Sequence, residues 1–384
     1  MIDKYLTFLP ELEGSIAEEW RQCLKQIIYI RETGYALIKL NIFIDLHDYE
    51  KYIKVSREMG KNILNAFGKL CPVFNITVHP PEKPWKIAVE AAYSRIDSSD
   101  IVINITNNIR YIVCSTDSGK EVWGSGLGFA LFSSDTRGAT EAAFEQMKAI
   151  LDSEGMSFNN IARQWNYIGN ILEEKNGLQN YQIFNEVRCE YYGKFRTVHG
   201  YPASTGIGMK LGGVTIDFCA VMTNEKLMVK PIENPNQINA YEYGQQVLKG
   251  PTGMGKSVKH PPLFERALLL KDNFRSTLLI SGTASIMGQD TIGIGDVEKQ
   301  TLVTINNIIK LTDQKRFEQN VTSTNTEWGK FILLRVYIKN QVDFSKVKMI
   351  CMKQFPGVPA IFIESDICRD NLLVEIEAEF LINN

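Results

Sequence analysis

The clearest signal along the chain is a repeated switch between period-two alternation and helical amphipathicity. Residues 35–92 (YALIKLNIFIDLHDYEKYIKVSREMG…CPVFNITVHPPEKPWKIAVEAA) read as an alternating strand, an amphipathic helix, a strand opening at Pro72, a polar loop and a last alternating strand. Residues 330–380 (KFILLRVYIKNQVDFSKVKMICMKQFPGVPAIFIESDICRDNLLVEIEAEF) repeat that order, with Pro359 opening the second strand. Strict alternation is what a half-buried sheet requires. A looser copy covers 161–222, with IARQWNYIGN, a helix around YQIFNEVRCEYY, then YPASTGIG and GVTIDFCAVM. Residues 124–156 and 278–311 also match each other: strand, glycine-rich turn, then a helix whose start is marked by Asp, Thr or Glu. The repeating unit is therefore β-β-α-β-α-β-β, and the first copy lacks a clear front half. Helices covering one face of a mixed or antiparallel sheet make this an α+β protein.

These patterns divide the chain into an N-terminal unit over 1–155, a middle half-unit over 156–223, a connecting segment over 224–272 and a C-terminal catalytic unit over 273–384. The connecting segment is rich in Pro, Asn, Gly and Lys, yet carries Tyr241, Tyr243, Leu263 and Phe264. A connection this long inside a compact protein is often functional, and its aromatic residues predict that it lies against a cleft.

Composition narrows the function without choosing it. With 384 residues, 44% hydrophobic and 22% charged, the chain has the balance of a soluble globular protein of two or three packed units. A net charge of −2 offers no concentrated basic surface for nucleic acid. No stretch approaches the ~20 apolar residues of a membrane span, and the acidic N-terminus does not read as a secretory signal. The seven cysteines (Cys23, Cys71, Cys114, Cys189, Cys219, Cys351 and Cys368) include no CxxC pair, and there are four histidines. That pattern predicts reduced thiols, no metal site and a cytoplasmic location.

One motif is misleading. Gly250–Ser257 satisfies GxxxxGK[ST], but a phosphate loop needs a buried strand before it and a helix after it. EYGQQVLK is too polar for the strand, and Pro261 and Pro262 stand where the helix should run. The segment reads as a glycine loop. Gly124-Ser-Gly126-Leu-Gly128 and Gly206-Ile-Gly208 read as turn glycines within strands.

Differences between the copies point to chemistry. Counting from the opening proline, Glu377 matches Glu90, so both belong to the shared pattern; Glu375 meets Ala88 and is peculiar to the last copy. The Gly212-Gly213 insertion obscures its counterpart in the middle copy. A carboxylate on so apolar a strand is costly unless paired or used. By itself the pattern also suits a salt-bridged or edge glutamate. Cys368 has no histidine nearby in sequence to activate it, which argues against a cysteine hydrolase. Ser281-Gly-Thr-Ala284-Ser closes a strand with small and hydroxyl residues, where backbone can approach a ligand. Arg163, Arg188 and Arg266 sit among apolar or aromatic neighbours, and guanidinium is the natural partner of a substrate carboxylate. Each is open to a structural reading alone.

The unit, with SG after a strand, GDVEKQT at a helix start and VEIEAEF at the end, resembles the RidA (YjgF) fold. Small RidA proteins form trimers with clefts between subunits, so three copies in one chain imply a covalent pseudo-trimer. RidA imine deaminases place an arginine upstream of the final-strand glutamate, where this chain has Ala360, so the resemblance does not extend to imine hydrolysis. A longer pattern is similar to the chorismatases: RQWNYI (163–168), YQIFNEVR (181–188), YPASTGIG (201–208), ENPNQINAYEY (233–243), PLFERA (262–267), SGTASIMGQDT (281–291), GDVEKQT (295–301) and CRDNLLVEIEA (368–378), in order. That resemblance implies chorismate as substrate, release of pyruvate without a cofactor, and Glu375 as the acid that protonates the enolpyruvyl group. It implies substrate contacts from Arg163, Arg188, Tyr201, Thr205, Gly206, Arg266, Ser281, Gly282, Thr283 and Ala284. Cysteine at 368 resembles the branch that makes 3-hydroxybenzoate, alone or with 4-hydroxybenzoate; the branch that hydrolyses chorismate to a diene diol has alanine there. A chain holding its own pseudo-trimer would act as a monomer or a small homo-oligomer. A RidA-type deaminase and a non-catalytic ligand-binding protein remain the competing classes.

Overall fold

The computed structural model describes residues 2–29, 34–96, 100–129, 135–175, 177–224, 227–248, 259–271, 276–314 and 328–382. Gly250–Ser257 lies outside them. The alternating segments form three sheets, each built on the same four-strand core. The first unit runs β1 (Lys4–Phe8), α1 (Ile16–Tyr29), β2 (Tyr35–Ile44), α2 (Tyr49–Phe67), β3 (Val73–Thr77) and β4 (Ile87–Arg95), with sheet order β1-β4-β2-β3.

The second runs β5 (Asp100–Thr106), β6 (Ile109–Thr116), β7 (Gly119–Leu127), α3 (Thr136–Ser153), β8 (Ile161–Gly169), a small β9–β10 hairpin (Glu174–Lys175 and Leu178–Gln179), α4 (Asn180–Phe195), β11 (Ala203–Met209) and β12 (Val214–Thr223). Its order is β11-β8-β12-β7-β6-β5. The third runs β13 (Met228–Ile232), β14 (Ala267–Lys271), β15 (Ser276–Ala284), a β16–β17 hairpin (Ile286–Met287 and Asp290–Thr291), α5 (Val297–Leu311), β18 (Gly329–Ile338), α6 (Phe344–Gln354), β19 (Ala360–Glu364) and β20 (Val374–Ile382), ordered β13-β14-β15-β20-β18-β19.

The α+β class and the repeated unit are thus as the alternation predicts. The pairs β2/β3, β8/β11 and β18/β19 are parallel, each crossing over through a helix, and the remaining neighbours in these sheets are antiparallel. Asp135 and Asp296 cap α3 and α5 by accepting from the backbone N–H of Gly138 and Lys299.

Three expectations change. The first unit does have a front half, β1 and α1, and is only one strand short. The first sheet ends at Arg95: β5, β6 and β7 join the second sheet, because β7 pairs with β12 rather than with anything before residue 96. The segment 224–272 is not only a connection, since β13 and β14 extend the third sheet.

The helices cover the outer faces, and the inner faces of all three sheets meet in one core containing Ala92, Trp165, Cys219, Leu279 and Tyr337. Register exposes a pseudo-threefold. Asn41 pairs with Glu90, Trp165 with Asp217 and Arg335 with Glu377, so three acids occupy the same place in three units. Each is answered by a cation from a neighbouring unit. Arg335 reaches Glu90 at 2.5 and 2.9 Å, Lys39 reaches Asp217 at 2.8 Å, and Arg163 reaches Glu377 at 2.8 Å. Arg335 also bonds Glu377 within its own unit. All three cations lie over the ring of Trp165, at 4.0 Å for Lys39, 4.9 Å for Arg163 and 5.7 Å for Arg335. Breaking such a buried pair from one side costs about 3–5 kcal/mol, so this cluster fixes how the units meet.

Candidate active site

Alternation along β20 puts Glu375, Glu377 and Glu379 on one face, all at most 5% exposed. Two have partners. Glu379 accepts from the Tyr5 hydroxyl at 2.7 Å. Glu377 accepts from Arg163 at 2.8 Å and the Trp165 indole at 2.9 Å, and from Arg335 and the Thr205 hydroxyl. Burial alone would raise the Glu377 carboxyl, but the two guanidiniums and these donors hold it below the ordinary carboxylate value.

Glu375 differs. No hydrogen bond reaches its carboxyl among the described residues, and it faces a pocket between the second and third units. Burial pushes it up to about 8, with repulsion from Glu377 adding, and Arg266 and Arg163 only partly offsetting them. Two glutamates two residues apart are thus driven to opposite protonation states at neutral pH, the arrangement that separates an acid from a fixed anion.

The pocket wall opposite Glu375 is the end of β15. Ile280 pairs with Ala378 and Thr283 with Ile376, leaving Ser281 and Gly282 as a bulge opposite Glu377. A Cβ on Gly282 would sit 2.1 Å from the Glu375 carboxyl oxygen, so any side chain there would force the acid to move. Ala284 lines the pocket beside it, as does Gly206 of β11, whose Cα side faces the Tyr181 ring.

The segment before β14 does lie against this cleft: Tyr243, Leu248, Pro262 and Phe264 line it. Arg266 lines it too, donating to the Tyr243 hydroxyl at 2.7 Å and to the Ile238 carbonyl, while its Nε has no partner. Arg369 faces the same space, anchored on the Gln289 carbonyl at 2.8 Å. Cys368 completes the wall. Its thiol is pushed up to about 12 by burial and by Glu375, so it stays neutral and is not a nucleophile.

Glu375, Cys368, Gly206, Arg266, Gly282 and Ala284 therefore converge, while six expected contacts stand behind the wall. Arg163 is spent on Glu377 and Thr205. The Thr205 hydroxyl bonds Glu377 and accepts from the Gly282 N–H at 3.1 Å. Arg188 is buried behind Asn185, to whose side chain it donates at 2.6 Å. Tyr201 stacks on Tyr192 and leans on Tyr241, away from the pocket lining. Ser281 donates to the Glu265 carbonyl at 2.6 Å and accepts from Ser204 N–H, and Thr283 donates to Ser281 O at 2.9 Å. The hydroxyls of Thr205, Ser281 and Thr283 thus satisfy buried backbone or charge, while Arg163 Nη1 and Arg188 Nε keep no hydrogen-bond partner. Sequence reasoning missed Tyr181, Gln182, Asn185 and Arg369 as lining residues; only Arg369 carried a local signal, its adjacency to Cys368.

Comparison with known proteins points to one family. Residues 113–220 match the family model described as chorismatase FkbO/Hyg5-like, N-terminal. A 3-hydroxybenzoate synthase of Streptomyces hygroscopicus is 30% identical over 246 residues, covering 62% of this chain and 68% of that protein. A chorismatase of Streptomyces rapamycinicus is 31% identical over 229 residues, covering 58% of this chain and 64%, just under two thirds, of that one. A crystal structure of a chorismatase superposes with a TM-score of 0.68 at 20% identity, over 99% of both chains. The pseudo-trimeric fold, the order of the matched segments and the extent of the shared sequence agree: this chain belongs to the chorismatase family.

Proposed function

We propose that the protein converts chorismate to 3-hydroxybenzoate and pyruvate, with Glu375 as the general acid. The observation that carries this is a glutamic acid kept protonated at neutral pH in a pocket that also presents Arg266 and Arg369. Chorismate is a dianion with an enolpyruvyl ether at C3 and a hydroxyl at C4. The two arginines suit its two carboxylates. Glu375 hands its proton to the enolpyruvyl methylene, giving an oxocarbenium ion. The C4 hydroxyl oxygen closes onto C3 as the C3–O bond breaks, pyruvate leaves with the ether oxygen, and the hydroxyl proton returns to Glu375. The three-membered ring opens at C4; the C3 proton leaves as the oxygen on C3 is protonated, restoring aromaticity.

General acid catalysis of this kind contributes about 10²–10⁴-fold, and orientation and charge supply the rest. Cys368, a neutral and weakly hydrated side chain, serves to keep water from the cation, which favours the aromatic product over the diene diol. Both walls of the pocket come from one polypeptide, so a single chain suffices for activity. We place the protein in the cytoplasm; among the described residues no helix is long and apolar enough to cross a membrane.

The test is to incubate the purified protein with chorismate and follow pyruvate and aromatic product together. Glu375→Gln keeps the shape but cannot give up a proton. It should retain less than a hundredth of the pyruvate release while its circular dichroism matches the parent. Undiminished turnover by that variant would remove Glu375 from the role.

A further inference from the structure

The pseudo-threefold has a consequence outside the Glu375 pocket. In the second unit Gly124 pairs with Phe218 and Leu127 with Ile216, which leaves Ser125 and Gly126 as a bulge opposite Asp217. That is the arrangement of Ser281 and Gly282 opposite Glu377. One residue beyond the Tyr111–Gly124 pair, Arg110 stands across from Ser125; one residue beyond Ala267–Ile280, Arg266 stands across from Ser281. The Ser-Gly bulge and its arginine therefore occur twice, each against the parallel-paired edge strand of the preceding unit, β3 in one case and β11 in the other.

This second copy opens onto a cleft of its own between the first and second units. Its volume is about 400 Å³, against about 60 Å³ in the Glu375 pocket. Leu64, Phe74, Ile109 and Phe129 give it apolar walls, and Arg110 is its one charged lining residue among those described. No hydrogen bond or ion pair engages Arg110 among the described residues, unlike Arg163 and Arg335 at the junction. Register places Thr215 where the third unit has Glu375, and its hydroxyl turns to the Asn75 side chain at 3.4 Å. The Ser125 hydroxyl and the Gly126 N–H both donate to Asp217 at 2.8 Å, so Arg110 is the group left to meet a carboxylate, and the acid of the active pocket has no counterpart there.

We propose that this cleft is a second binding site, which holds an aromatic monocarboxylate on Arg110 without transforming it. A single guanidinium matches one carboxylate, whereas the active pocket offers two to a dianion. The choice of a hydroxybenzoate as ligand rests on the reaction proposed above; the site itself rests on register and cavity.

The experiment is calorimetric titration of the full chain with 3-hydroxybenzoate, on the parent, Arg110→Ala, Arg266→Ala and the double variant. Two sites are expected in the parent and one in each single variant, with the remaining site at least tenfold weakened in the double variant. Arg110→Ala should leave the initial rate of pyruvate release from chorismate unchanged. A parent with no site or one site, or a second site indifferent to Arg110→Ala, overturns the proposal. An Arg110-dependent site in a protein that releases no pyruvate would sink the reaction and leave this site standing; full turnover with a single, Arg266-dependent site would do the reverse.

Discussion

Glu375 should make the protein less stable as pH rises, and replacing it with glutamine should remove that penalty. The unfolded chain gives up this proton near the ordinary value of 4.5, whereas the folded protein holds it until about 8. Below pH 4.5 both states are protonated and the residue costs nothing. Between 4.5 and 8 the unfolded state loses its proton while the native state keeps it, so stability falls by about 1.4 kcal/mol per pH unit. Above pH 8 the loss levels off at about 5 kcal/mol, an upper figure because solvent entering the pocket relieves some of it. Glutamine has no proton to lose. Denaturant unfolding of parent and Glu375→Gln at pH 5.5 and 8.5 should show the variant's advantage growing by about 3 kcal/mol across that window. A difference that stays flat with pH would mean that the carboxyl is not held protonated, and the acid role would fail with it.

Other consequences follow from the same geometry. Gly282→Ala puts a methyl 2.1 Å from the Glu375 carboxyl oxygen, where real contacts keep 3.0 Å or more; displacing the acid by about 1 Å should cut kcat on chorismate about 10²-fold with little change in fold. Cys368→Ala should move product toward the diene diol at similar total pyruvate, as seen by chromatography of the ring product; an unchanged ratio would exclude the thiol from water control. The pH profile of kcat/KM should fall above about pH 8 as Glu375 ionises, and the break in kcat should lie higher, since a bound dianion further opposes ionisation. Arg163→Met strands the Glu377 carboxylate on one side, and should lower unfolding free energy by about 3–5 kcal/mol.

The sequence carried the strands, the helices and the repeat, because period-two and helical alternation are local properties. It also carried Glu375, which stood out as a charge that its sister copy replaces with Ala88. It did not carry the sheet boundaries. The pairing of β7 with β12 joins residues as far apart as Gly119 and Thr223, and nothing in β5–β7 says which later strand will accept them. Register likewise resolves what the Gly212-Gly213 insertion hid, that Thr215 is the middle unit's counterpart of Glu375. Thr205, Ser281 and Arg163 show the other blind spot: their residue types suit a ligand, but buried neighbours claim their donors first. Arg369, Tyr181 and Tyr243 reach the pocket from three separate segments, and only the folded chain brings them together.

The junction explains why a proton donor can persist beside a buried carboxylate. Glu90, Asp217 and Glu377 each hold the same register, and Arg335, Lys39 and Arg163 neutralise them in rotation, one unit serving the next. Glu377 draws two guanidiniums, and no ion pair reaches Glu375 two residues earlier among the described residues; Arg266, on the pocket side, is engaged by Tyr243 and the Ile238 carbonyl. A buried carboxyl in that position has two stable options, a cation or a proton. The fold withholds the cation, so the acid keeps its proton and faces the pocket with it. In the other cleft Thr215 removes the need for either, Asp217 takes the donors of the Ser-Gly bulge, and Arg110, unpaired among the described residues, can meet an anion but has no proton to give.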